Sequence, residues 1–324
     1  MLSVYSTDRF KFGWSFLLLL LTFVGSGGAQ STQKTVTITI DDLPVVTERQ
    51  GTKNRVEITK SLLRNITSAK MPVIGFVNEN KLYVDGRRDE SQVDLLRMWL
   101  DAGLELGNHT YSHANIDNVG LPAYKDEILN GETITRQLLQ ERGRAIRYFR
   151  HPFLRTGNTL EIKAELARFL ADHGYKIAPV SIDDSDYIFA RAYERSIDKS
   201  DKKLAKRIGD DYLTYMYQKI AYWEKQSDRL FGRQIAQILL IHASLMNSEY
   251  LGRLAQVFRR RGYKFVDLDT ALKDEAYRLP DEYTRPAGIS WLHRWALANG
   301  REYLVPNEPR VPDYVMKLSG FTSE

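Results

Sequence analysis

There is no cysteine among the 324 residues. No disulfide can staple the fold, so stability has to come from core packing, helped by a bound metal where one exists. A long hydrophobic run is missing too. The longest apolar stretch, Trp14 to Val24, is eleven residues, and a membrane-spanning helix needs about 20. Charge of one sign is not concentrated anywhere: 46 basic and 41 acidic side chains give a net +5 and are interspersed. The one dense run, "DKSDKKLAKR" at 198–207, is mixed in sign and reads as a solvated helix face, which gives a nucleic-acid partner little support. Glycine and proline, 21 and 10 residues, are modest, and 43% hydrophobic with 27% charged residues is near the globular average. Disorder, collagen and a multi-span membrane protein are thereby excluded. No low-complexity segment or internal sequence repeat stands out.

What is present begins at the amino terminus. Arg9 and Lys11 precede the apolar run, and the small residues "GSGGAQ" follow it. That is the layout of a secretory signal peptide over residues 1–29, cut after Ala29; the competing reading, an uncleaved anchor, suffers from the shortness of the run. The expectation is an exported protein, periplasmic or extracellular, without a membrane anchor once the signal is removed. Beyond residue 29 there remain 44 basic and 40 acidic side chains, a net +4, which favours anionic surfaces mildly and specifies nothing.

From Thr35 onward β-branched or apolar runs alternate with amphipathic stretches of helical period. The runs are "TVTITI", "PVIGFV", "LELGNH", "IRYFRH", "YKIAPVSI", "AQILLIHA" and "YKFVDL". Strands separated by helix-length segments imply parallel pairing with right-handed crossovers. The expected fold class is α/β: an irregular (β/α) barrel of seven or eight units over residues 30–274. A carboxyl-terminal extension, 275–324, is expected to pack on it. Two stretches exceed the repeat. The helical region at about 189–228 contains "YLTYMYQKIAYW", whose aromatics suit packing better than a sugar platform. The extension contains "RLPDEYTRPAGISWLHRWA", in which Trp291 and Trp295 are candidates for stacking on sugar rings.

In such barrels chemistry collects at the carboxyl ends of the strands, and here those ends carry polar cargo. The first ends in Asp41 and Asp42, also a plausible turn or cap. The third ends in "HTYSH", where His109 and His113 would share one face if the segment turned helically. Alone, that pair is as compatible with two polar residues on a turn as with a metal site. A zincin protease would carry Glu after the first histidine, where Thr110 stands. The fourth ends in "RHPF" with Arg150, the next in "DDSDY" with Asp183, Asp184 and Asp186, and the strand "AQILLIH" delivers His242. Each has a structural explanation by itself; five in succession point to one shared site. His173, at a helix end where the dipole favours a cation, and His293, in "SWLHRW", read as structural.

Taken in order, "TIDD", "HTYSH", "RHPF", "DDSDY" and "LIH" resemble the five signatures of the polysaccharide deacetylase family, also called carbohydrate esterase family four. The resemblance spans roughly residues 35–270. It implies that Asp42, His109 and His113 bind a divalent metal, most often zinc, and that Asp41 is the general base, held ionised by Arg150. It further implies a backbone N–H donor at Phe153, and His242 as general acid steered by Asp183. One carboxylate and two imidazoles leave positions open for water and substrate, as a catalytic zinc requires. Three departures from the family pattern stand out: His151 in place of proline, Tyr187 in place of tryptophan, and the long segment before "LIH".

The reading from sequence is an exported, zinc-dependent hydrolase that removes acetyl groups from an acetylated poly- or oligosaccharide, chiefly N-acetylglucosamine units of chitin-like or peptidoglycan chains. The alternatives are an acetylxylan O-esterase using the same site, a non-haem iron enzyme with a two-histidine, one-carboxylate set, and a non-catalytic carbohydrate-binding relative. The last would have lost Asp41, Arg150 or His242, and all three are present.

Overall fold

In the computed structural model the strand Thr35–Val46 (β1) is buried along nearly its whole length. Residues 33–49 and 51–324 are described, so the expected signal segment lies outside the described residues. Side chains alternate along a strand. Val36, Ile38 and Ile40 join the core shared with the helices, whereas Thr37, Thr39 and Asp41 occupy the other face. On that inner face Thr37 Oγ1 donates to Val266 O at 2.9 Å and Thr39 Oγ1 to Leu239 O at 2.7 Å, among Ile74, Phe76, Tyr148, Ala178 and Ile238.

The chain continues through α1 (Thr52–Ser68), β2 (Ile74–Val77), a small hairpin of β3 (Tyr83–Val84) and β4 (Arg87–Arg88), α2 (Glu90–Asp101) and β5 (Glu105–Asn108). Next come α3 (Ile116–Val119), α4 (Leu121–Asn130), α5 (Thr133–Gln140), β6 (Tyr148–Phe149), α6 (Leu160–Asp172) and β7 (Lys176–Ile177). The last part holds α7 (Asp186–Asp198), α8 (Lys202–Phe231), β8 (Gln237–Ser244), α9 (Leu245–Arg260), β9 (Lys264–Phe265), α10 (Leu268–Ala271), α11 (Trp291–Ala298) and α12 (Asp313–Ser319). The helices form where apolar residues recur at helical spacing, as Ile58, Leu62 and Ile66 do in α1, and where capping side chains start them, as Asp89 does for α2 and Thr159 for α6.

The main sheet is parallel, in the order β7-β6-β5-β2-β1-β8, with β9 on the first residues of β1. After β7 the chain crosses to β8, where Ile182 pairs with Leu239 and the N–H groups of Ser181 and Ile182 both reach Ile238 O at 3.0 Å. That single bridge joins the two ends of the strand row into an irregular (β/α) barrel of seven parallel strands, the fold class expected from the alternation.

Two expectations change. The helical region expected as one piece at about 189–228 is two helices, α7 and α8, separated by Ser200 in the left-handed region at φ 59°. Of its aromatics Tyr212, Tyr215, Tyr222 and Trp223 are buried and Tyr217 is exposed; Trp291 and Trp295 are buried too, so those two tryptophans are not available to stack on sugar rings. Trp291, Trp295, Val311 and Val315 share the core of the barrel's helices, with α11 against α8 and α12 against α7. No helix among the described residues is long and apolar enough to cross a membrane.

Candidate active site

At the carboxyl end of β1 the backbone breaks out of strand geometry, with Asp42 at φ 68°. Successive residues of a strand point to opposite faces, so this left-handed step lets Asp41 and Asp42 both line the same cleft. After β5 the chain makes an irregular turn in which Thr110 and His113 have φ of 65° and 60°. The helical turn expected to align His109 with His113 is therefore not what aligns them. Strained loop geometry does it, supported by Asn108, whose Oδ1 accepts the Thr110 N–H at 2.7 Å, and by Asn78, which donates to His109 O at 2.6 Å. Non-glycine residues in this region persist only where their surroundings over-determine them, commonly at functional sites.

The result is a cluster in which ligand atoms of Asp42, His109 and His113 lie within 4.8 Å of one another. Asp42 Oδ1 is 3.7 Å from His109 Nε2 and 3.6 Å from His113 Nε2. His109 Nδ1 engages Arg150 O at 2.7 Å, which leaves Nε2 for the cluster, the usual supporting contact of a metal-binding histidine. Asp42 Oδ1 is buried with no hydrogen-bond partner. Burial would raise the Asp42 pKa, but Lys81, His113, His242 and His109 outweigh it and hold the carboxyl below the usual range. Burial pushes His109 well below its ordinary value and His113 down as well, keeping both imidazoles neutral. An ionised carboxylate, two neutral imidazoles and an orphaned buried oxygen fit a divalent cation such as zinc.

Asp41 is almost fully buried. Its Oδ2 lies 3.3 Å from Arg150 Nη1, while its Oδ1 has no partner. Arg150 is anchored in turn by Thr39 Oγ1 at 2.8 Å and Ala178 O at 2.9 Å. Burial pushes Asp41 up to about 6 against the pull of Arg150 and His242. The guanidinium therefore limits that rise rather than abolishing it.

On the opposite wall, His242 Nδ1 meets Asp186 Oδ1 at 2.6 Å, and Asp186 Oδ2 accepts the His242 N–H at 2.8 Å and Asn247 Nδ2 at 2.6 Å. Burial alone would lower His242, but Asp186 prevails and pushes it up to about 10. This corrects the expectation that Asp183 steers the histidine. The carboxylate in contact is three residues on, at the start of α7, because that helix packs along β8. Asp183 lines the cleft and accepts Trp223 Nε1 on its backbone oxygen at 3.0 Å.

The remaining candidates sort plainly. Phe153 stands at the cleft with its ring 4.4 Å from that of His113. His151 is buried, and burial with Arg294 and Lys163 nearby lowers it to about 3, so it is neutral and does not rival His242 as an acid. His173 ends α6 and His293 is buried against Tyr222 Oη at 2.7 Å, both away from the cluster. Sequence reasoning missed Lys81, which donates to Asp42 O at 2.9 Å and lies 3.8 Å from Asp42 Oδ2, and Asn247, which holds Asp186. The only sequence signal for Lys81 is its place just after a strand end. The cleft measures about 1220 Å³ and is lined from both sides of the barrel and by Ala287, Gly288 and Phe321 of the extension.

Comparison with known proteins agrees over the first half of the barrel, where the polysaccharide deacetylase family matches residues 28–178. No curated protein matches the chain. Among solved structures, the polysaccharide deacetylase Bc1974 from Bacillus cereus is 15% identical with a TM-score of 0.49, over 79% of this chain and 100% of that one. The peptidoglycan deacetylase PdaC from Bacillus subtilis is 17% identical with a TM-score of 0.45, over 76% and 94%. BA3943 from Bacillus anthracis, a CE4 family pseudoenzyme, is 16% identical with a TM-score of 0.47, over 74% and 66%. These three likenesses carry no functional inference for this chain. The match over residues 28–178 takes in the three ligand candidates together with Asp41 and Arg150, and over that stretch the chain is similar to the polysaccharide deacetylase family.

Proposed function

We propose that this protein is an exported, metal-dependent hydrolase that removes the acetyl group from N-acetylglucosamine units of a chitin-like or peptidoglycan chain. The observation that carries this reading is the facing of two differently tuned pairs, Asp41–Arg150 and Asp186–His242, across one cleft that also holds the Asp42–His109–His113 cluster. Titratable groups driven apart by their surroundings are how one site runs base and acid chemistry together.

Asp42, His109 and His113 would hold the ion, which when bound supplies the Lewis acidity that polarises a carbonyl and acidifies water. Asp41, with Oδ2 turned to Arg150 and Oδ1 free, takes the proton of the attacking water. The water oxygen bonds to the acetyl carbon, and the carbonyl electrons move onto its oxygen, toward which the Phe153 N–H donates. His242, kept protonated by Asp186, gives a proton to the sugar nitrogen as the C–N bond breaks, leaving acetate and a free amine. Arg150 keeps Asp41 from drifting further toward the neutral form, and buried Asn247 keeps Asp186 aimed at His242.

The test is acetate release by the zinc-loaded protein from chitooligosaccharides, peptidoglycan and acetylated xylan in parallel, each with a chelated control. Chelator-sensitive release from either of the first two supports the reading. Release from xylan alone replaces it with O-deacetylation, and release from none of the three rejects it.

A further inference from the structure

Phe153 and Leu154 are consecutive L residues in the left-handed region, with φ of 54° and 52°. Such a pair needs surroundings that leave it no alternative, and those surroundings come from the carboxyl-terminal extension, outside the family-matched residues. Arg294, 1% exposed, donates through Nη2 to Leu154 O and through Nη1 to Thr156 Oγ1 at 2.9 Å and Asp281 Oδ2 at 2.6 Å. Its Nε donates to Ile289 O at 3.0 Å, so the planar fork ties the loop after β6 to the extension's own backbone. Asp281 closes the knot by accepting Thr156 Oγ1 and Lys163 Nζ, both at 2.7 Å. From the other direction Gly288 is pressed on the same loop: a Cβ built there would lie 1.6 Å from Phe153 O, so only glycine fits. The stretch between is pinned to the barrel, with Trp291 N–H on Val180 O at 2.8 Å and Ser290 Oγ on Ser181 O at 2.8 Å.

We propose that Gly288 and Arg294 are positioning residues which fix the direction of the Phe153 N–H, so that the extension completes the anion-stabilising side of the cleft. This rests on the deacetylase reading for what the N–H does, and on geometry alone for what holds it. The Phe153 N–H lies in the Pro152–Phe153 peptide plane, whose carbonyl oxygen accepts the Arg155 N–H at 3.0 Å, so its direction follows the shape of the turn over residues 152–155. Gly288 blocks movement of the Phe153 carbonyl, and Arg294 holds the next carbonyl along. With both oxygens held, the turn keeps the shape that closes this hydrogen bond, and with it the direction of the Pro152–Phe153 peptide plane. Charge on the substrate oxygen exists only after attack, so a loosened donor lowers kcat while KM stays near its original value.

The experiment uses the full chain, zinc-loaded, as wild type, Arg294→Lys and Gly288→Ala. Lysine keeps a charge beside Asp281 but has no second arm for Leu154 O; alanine perturbs the loop without touching charge. Both variants are expected to lose roughly 100-fold in kcat, as for removal of one such donor, with KM and zinc content unchanged. Amide hydrogen exchange should rise over residues 152–156 and nowhere else. Wild-type exchange over 152–156, or wild-type kcat, in both variants overturns the proposal. So does exchange that rises throughout the chain with kcat falling only in step with the folded fraction, since that marks a general structural role. If wild type releases acetate from none of the three substrates, the functional reading fails separately, and the exchange pattern still decides whether the extension sets the loop.

Discussion

The two walls of the cleft are built differently. The wall bearing Asp41, Asp42, His109 and His113 is made at the ends of neighbouring strands, by left-handed steps at Asp42, Thr110 and His113. The wall bearing His242 is made by a helix laid along a strand: Asp186 opens α7, His242 lies in β8, and Asn247 of α9 holds both. The first wall stores backbone strain to gather carboxylates and imidazoles from short stretches of chain. The second uses an ordinary strand and helix, and gains its precision from a buried carboxylate whose two oxygens accept three hydrogen bonds. A site assembled by strain depends on each member of a short motif, whereas one assembled by packing depends on which turn of a helix faces the strand.

Breaking the strained wall should have the largest effect. His109→Ala or His113→Ala is expected to lose zinc and acetate release together, measured by metal content and turnover on one preparation; full zinc in both variants would remove them from the ligand set. Asp41→Asn should keep its zinc and lose about 100- to 10,000-fold in kcat, the usual range for a positioned base. On the packed wall the comparison narrows to two aspartates. Asp186→Asn should lower kcat by about 100-fold or more, and Asp183→Asn much less; the opposite order would return the steering role to Asp183.

Smaller effects follow from groups that only support. Lys81→Met removes the cation beside Asp42 Oδ2 and should weaken zinc affinity by about 10- to 100-fold, the usual size for a supporting contact, read by competition with a chelator. His151 gives a pH test. Its folded pKa of about 3 lies below the ordinary value of about 6.5, so between those limits the unfolded chain binds the extra proton and stability falls as the pH is lowered. That contribution is fully present above pH 6.5. His151→Gln should flatten the dependence of Tm on pH over this window; an unchanged slope would mean that other groups set it.

The strands, the parallel barrel and the cluster at residues 41–42 and 109–113 were legible because they rest on local pattern: a period of two, apolar runs, and polar residues at strand ends. The alignment of His109 with His113 was expected from the wrong cause, since helical spacing and a strained turn both bring positions four apart together. The resemblance assigns the steering role to Asp183, the first aspartate of "DDSDY", and nothing in that run says where α7 begins relative to β8. Lys81 could not be singled out, since one lysine after a strand looks like any surface lysine until Asp42 is seen beside it. The aromatics of the long segment read correctly as packing, apart from Tyr217, whereas nothing local in the extension told a packed tryptophan from an exposed one.

By itself, then, the sequence determined the alternation of strands and helices, the want of any disulfide, and the short motifs whose members sit within a few residues of one another. The tertiary structure alone decided which carboxylate meets His242, that Lys81 stands over Asp42, and that Gly288 and Arg294 clamp the Phe153 loop from 135 to 140 residues away. The physical reason is range. Period and propensity act between near neighbours along the chain, while buried hydrogen bonds and close backbone contacts depend on how distant elements pack, and packing is fixed only once the whole core has closed.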